Sequence, residues 1–158
     1  MSIVFRRGRK VSITAAAVFL GVILLASCQR GAPKISIESA HATLSPAIYG
    51  EAMVTMVIKN NGGPDVLKGV AIDVPGAKAS FHLMEGPRMM QAATVDIAGG
   101  GSTEFKMGGS HVMIEDMPRT MTEGSPIAVT LTFAKAGVKK LNLKLEKAPQ
   151  MKMGDHMG

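Results

Sequence analysis

Two histidines in this 158-residue chain each stand two positions ahead of a methionine, His82 before Met84 and His111 before Met113, and Met89 and Met90 lie between the two pairs. In an extended strand residues i and i+2 share a face, so each His-x-Met presents one imidazole and one thioether side by side. Thioether sulfur is a poor ligand for Zn²⁺, Mg²⁺ or Ca²⁺ but a good one for Cu(I), which imidazole also suits. The chemistry this spacing offers is a soft-metal site for Cu(I).

The distribution of methionine points the same way. Of 13 methionines, five fall between Met84 and Met113 and three in the last eight residues, whereas ordinary core filling would scatter them. The terminal run carries Met151, Met153, His156 and Met157, the same ligand types, beyond Pro149. Residues 148–158 are expected to be a flexible Met/His-rich tail, able to reach about 30 Å and so to fold back to the main site or to offer copper elsewhere. Met107, Met117 and Met121 are expected as an apolar rim, His41 on the surface, and Met53 and Met56 in the core.

The elements that must position these side chains read as strands. Short runs with period-two alternation recur between Gly, Pro and Asn clusters, and no stretch sustains a helical period. Strands are expected at Ile35–Glu38, Ala52–Lys59, Val66–Val74, Lys78–Met84, Thr94–Ala98, Thr103–Met107, His111–Glu115, Ile127–Phe133 and Val138–Leu145. Asn60-Asn61-Gly62-Gly63-Pro64 is a strong turn signal. Between Lys78 and Met84 the alternation puts Ala79, Phe81 and Leu83 on one face and Ser80, His82 and Met84 on the other, separating a core face from a ligand face. Eight or nine strands over residues 35–147 predict an all-β fold, an antiparallel Greek-key β-sandwich of cupredoxin-like type, with the site at one end on loops and strand ends.

Ahead of that domain, Arg6, Arg7, Arg9 and Lys10 precede an apolar stretch from Val11 to Ala26, the pattern of a signal peptide. Leu25-Ala26-Ser27-Cys28 resembles a bacterial lipobox, which makes residues 1–27 a lipoprotein signal peptide, Cys28 the acylated mature N-terminus and residues 28–34 a linker. The expected location is the bacterial cell envelope, lipid-anchored and facing the periplasm or the exterior. Without the leader, 14 basic groups stand against 12 acidic ones. A nearly neutral domain with no tryptophan and no basic run gives no support for nucleic-acid binding.

The run from Ile35 through Leu145 resembles the periplasmic copper chaperone family called PCuAC. Its signature is a His, a Met about ten residues on, then twenty-one residues to His-x-Met. Here Met89 is followed by twenty-one intervening residues and then His111-Val112-Met113. Ile97-Ala98-Gly99-Gly100, Gly108-Gly109-Ser110-His111-Val112-Met113, Glu123-Gly124 and Val129-Thr130-Leu131-Thr132-Phe133 also resemble the family. The departure is in the first half, where six residues separate His82 from Met89 and the hairpin is shorter. The resemblance implies His82, Met89, His111 and Met113 as copper ligands, with Met84 and Met90 as substitutes and Met151, Met153, His156 and Met157 as further candidates.

Two imidazoles and two thioethers without a thiolate make a site that holds Cu(I) yet can release it. A blue-copper electron carrier needs a cysteine thiolate on the metal, and the one cysteine here is Cys28. No Ser-His-Asp spacing, paired-carboxylate motif or nucleotide loop suggests an enzyme. The expected function is that of an exported, monomeric copper chaperone. By the resemblance, it passes Cu(I) to a cytochrome oxidase subunit of the haem-copper type or to another copper chaperone. Envelope copper buffering is the alternative, followed by a β-sandwich interaction module that binds no metal.

Overall fold

A computed structural model of the chain describes residues 31–149. The expected signal peptide, Cys28 and the candidates Met151, Met153, His156 and Met157 lie outside the described residues. Ten strands follow one another: β1 (Ile35–Leu44), β2 (Ala52–Asn60), β3 (Asp65–Ile72), β4 (Lys78–Glu85), β5 (Arg88–Ala92), β6 (Val95–Ile97), β7 (Gly101–Phe105), β8 (His111–Glu115), β9 (Pro126–Phe133) and β10 (Val138–Glu146). No helix occurs among the described residues. The all-β expectation holds, and the extra strand is β5, the returning arm of the short hairpin.

The strands form one nearly closed sheet in the order β5-β4-β8-β2-β1-β10-β9-β3-β6, with β7 also on β2. Pairing is antiparallel except between β1 and β10, where Ala42 and Leu145, and Thr43 and Glu146, run parallel and join the two layers. Between the layers lie Val54, Met56, Ile58, Leu67, Phe81, Phe105, Val112, Leu131 and Phe133, each at most 2% exposed. Each buried aromatic or branched side chain contributes roughly 1.5–3 kcal/mol by leaving water.

Two local devices let the sequence fit this plan. In β1 the inward positions change parity, from Ile35 and Ile37 to Ala40, Ala42 and Leu44, because the register against β2 slips between Glu38 and His41. Ser39, at φ 50°, takes up the extra residue as a bulge. The second device is Asn60, fully buried at the end of β2. Its amide donates to Gly63 O (2.7 Å) and Ala98 O (3.1 Å), and its Oδ1 accepts from Lys34 N (3.1 Å) and Gly62 N (3.0 Å). Residues 31–34, expected to be linker, are thereby clasped to the sandwich, and Gly63 N donates to Gly31 O at 2.8 Å.

One edge of β2 serves two partners in turn. Ala52–Val54 pair with β8, and Met56–Asn60 pair with β7. The chain crosses that fork through the turn from Lys106 to Ser110, so β8 begins, at His111, where the sheet divides.

Candidate metal centre

The glycine-rich run before His111 builds its surroundings atom by atom. Lys106 N donates to Ser110 O (2.7 Å) and Gly109 N to Lys106 O (3.1 Å), closing a tight turn in which Gly108 takes φ +73°, a conformation L side chains rarely adopt. The turn aims Gly109 O at His111 Nδ1, 2.8 Å away. A carbonyl can only accept, so Nδ1 carries the proton and Nε2 keeps its lone pair for a metal. Ser110 Oγ accepts from Met84 N at 3.1 Å, tying the β4–β5 hairpin to the same turn.

Register then assembles the side chains. His82 on β4 is the direct partner of His111 on β8, and their ring centroids lie 5.5 Å apart with the planes 49° from parallel. Met84 pairs across the hairpin with Met89, on His82's face, while Met90, 50% exposed, pairs with Leu83 on the opposite face, where Leu83 packs against the core. The short hairpin thus brings His82, Met84 and Met89 together and sets Met90 apart. Val95 and Ile97 nevertheless reach the core, because the chain leaves β4's sheet after Ala92 and enters β3's partner strand at Val95. Met113 faces outward between Met53 of β2 and Ser80 of β4.

Burial grades the group. His111 is 9% exposed, whereas Met84 and Met89 are each 39% exposed. A half-exposed thioether is available to exchange with an incoming ligand; a buried imidazole is a fixed one. Ser80 Oγ is buried without a hydrogen-bond partner, and its register position puts it beside Met113. Among the described residues no three His, Cys, Asp or Glu side chains come together, so the soft donors that can join the two imidazoles at this face are methionine sulfurs. Two imidazoles and neutral thioethers fit a soft monovalent ion and not a hard divalent one.

Expectation and structure differ at Met53. Met53 and Met56 were both expected in the core, yet in one strand they have opposite parity. Met56 is 1% exposed, whereas Met53 is only half-buried and shares Met113's face. The alternation of Ala52, Val54, Met56 and Ile58 was the available signal. Ser80 lies on the ligand face as the alternation predicts, whereas Gln91, opposite His82, was not anticipated as a neighbour of the site. Met117 and Met121, expected on the rim with Met107, belong to the core instead: Met117 is buried and Met121 packs against it, while Met107 is exposed.

The model of one protein family, described as "Putative lipoprotein LpqE-like", matches residues 35–145. No curated protein matches the chain. Among solved structures, the chain resembles the copper-bound PCuAC domain from PmoF2 at 24% identity and a TM-score of 0.60, covering 74% of this chain and 96% of that one. The apo PCuAC domain from PmoF1 aligns at 23% identity and 0.63, covering 74% and 97%. The solution structure of CuI-DR1885 from Deinococcus radiodurans aligns at 20% and 0.54, covering 76% and 82%. At such identities the likeness is one of fold, and it is the PCuAC fold.

Proposed function

The chain belongs to the LpqE-like family, and from that premise we propose that it is a copper chaperone whose cargo is Cu(I). The observation that carries this reading is the cross-strand pair His82 and His111, 5.5 Å apart, with Met84, Met89 and Met113 on the same face of the sheet. The names of the fold relatives, two of which were determined with copper, support the same cargo.

In this reading His111 is the fixed ligand, held through its Nδ1–H, and His82 approaches from the neighbouring strand. Met113 and the hairpin thioethers complete the set. Cu(I) leaves by stepwise exchange, one neutral ligand at a time, with no change of oxidation state. The protein acts as a carrier and not as an enzyme. Anchored through Cys28 at the cell envelope, it delivers copper to the copper centre of a haem-copper oxidase. The Met/His composition of residues 150–158 favours a second reading, in which the chain buffers copper in the envelope.

The test is competition for Cu(I) against a chromophoric chelator. The unaltered chain should bind one ion tightly, and the His111→Ala, Met113→Ala double variant should lose that binding while keeping its fold. Equal affinity in both would reject the site. Deleting the protein and assaying oxidase activity under copper limitation separates delivery from buffering: unchanged activity with lowered copper tolerance would leave only the buffer.

A further inference from the structure

Beside the imidazole pair lies a groove of about 760 Å³ whose wall includes Met53, Met107 and Met113. The three sulfurs come from different elements: β2, the turn between β7 and β8, and β8 itself. Met53 and Met113 are direct cross-strand partners. No carboxylate and no imidazole lines this groove, so the soft donors facing it are thioethers alone. Packing does not account for them. Met56, on the other face of β2, is 1% exposed and does fill the core, whereas Met107 is 47% exposed and gains little by burial.

We propose that Met53 and Met107, together with Met113, form a second soft-metal position, a thioether-only stop that Cu(I) occupies on its way to or from the imidazoles. The proposal rests on the copper reading of the His82 and His111 site. Met113 is the shared ligand. It stays bound while the copper–nitrogen bonds to His82 and His111 and the copper–sulfur bonds to the hairpin thioethers break, and two new copper–sulfur bonds form to Met53 and Met107. The ion remains Cu(I) throughout, and no proton or electron is exchanged. With three neutral sulfurs and no anionic donor, the second position suits transit rather than storage. Lys147, Ala148 and Pro149 also line the groove, and the test must tell the sulfurs of its wall from those of Met151, Met153 and Met157.

The experiment uses the full-length chain with ¹³C-methyl methionine and Ag(I), a redox-inert soft monovalent ion, as the probe. In the His82→Ala, His111→Ala variant, one equivalent of Ag(I) should bind and shift the ε-methyl signals of Met53, Met107 and Met113. Adding Met53→Leu and Met107→Leu should cancel the Met113 shift and remove that bound equivalent. Leucine conserves volume closely enough for the fold to survive, which unmoved core methyl signals such as that of Met56 will verify. Signals of Met53 and Met107 that stay still, with shifts confined to Met151, Met153 and Met157 or to Met84 and Met89, overturn the proposal. The parent reading has its own readout, since the ring signals of His82 and His111 must move when the unaltered chain takes its first equivalent. Rings that do not move, with Met53 and Met107 shifting, would sink the imidazole site and leave the thioether position standing.

Discussion

His82 and His111 meet ring to ring across β4 and β8, and the carbonyl of Gly109, 2.8 Å from His111 Nδ1, fixes which nitrogen His111 can offer. That carbonyl is aimed by Gly108 at φ +73°. Gly108→Ala should therefore cost roughly 1 kcal/mol of stability, the ordinary penalty for a side chain in a left-handed conformation. It should also weaken Cu(I) binding by on the order of 10-fold, as loss of a ligand's orienting partner does. Thermal unfolding and Cu(I) competition on the same variant give both numbers. Lost stability with unaltered affinity would show that the turn is structural only.

The hairpin register predicts a division among three adjacent methionines. Met84→Leu and Met89→Leu should each weaken Cu(I) binding, whereas Met90→Leu, altering the opposite face, should leave it unchanged. A competition titration of the three single variants decides the matter. Equal losses at Met89 and Met90 would mean that the strand does not hold this register in solution.

Asp65, buried at the start of β3, gives the fold a predictable response to acid. Burial by itself would raise its pKa, but the N–H groups of Ala136, Val66 and Lys135, with the Lys135 charge, outweigh it and hold the carboxyl below its ordinary 3.8. A carboxylate with a depressed folded pKa contributes stability that is complete above the unfolded value and lost as pH falls through the folded one. Asp65→Asn should therefore be less stable than the unaltered chain at neutral pH, by about 1–3 kcal/mol for the weakened hydrogen bonds. The gap should narrow as pH falls below 3.8. Urea midpoints at neutral and acid pH test the sign.

Gly62 sits where a Cβ would come within 2.1 Å of Ala32 O and 2.7 Å of Lys34 N. Neither backbone atom can yield while Asn60 holds Lys34, so Gly62→Ala should expel residues 31–34 from their seat. Faster amide exchange at Lys34 and new proteolytic cleavage nearby are the expected signs. Asn60→Ala should produce the same release and also strand the carbonyls of Gly63 and Ala98, costing a few kcal/mol. Normal protection at Lys34 in both variants would show that the clasp is dispensable.

What was legible in the sequence followed from parity. Alternation from Lys78 to Met84 gave the two faces of β4, and the His-x-Met spacing placed His111 and Met113 together on β8. Where parity breaks, the reading failed. Ser39 hides its bulge because nothing in Ile35–Leu44 marks where the extra residue goes, and the period-two alternation that starts at Ile35 stops at Glu38 although β1 runs on to Leu44. Met53 was absorbed into the core because a methionine's apolar character conceals the side of the strand it occupies. The fork in β2's edge, at which β8 begins with His111, depends on pairing between distant segments and leaves no local signal.

The Asn60 clasp also bears on how the domain would search for an acceptor. Gly31 and Lys34 are already bound to the sandwich, so if Cys28 is acylated as proposed, the spacer would shrink from six residues to Gln29 and Arg30, with a maximum contour of about 7 Å. A domain on so short a leash cannot sweep a volume above the bilayer. Under the proposed anchor it would travel with its lipid, and encounters with an acceptor would become collisions within a two-dimensional layer, set by lateral diffusion and by which flank of the sandwich leads.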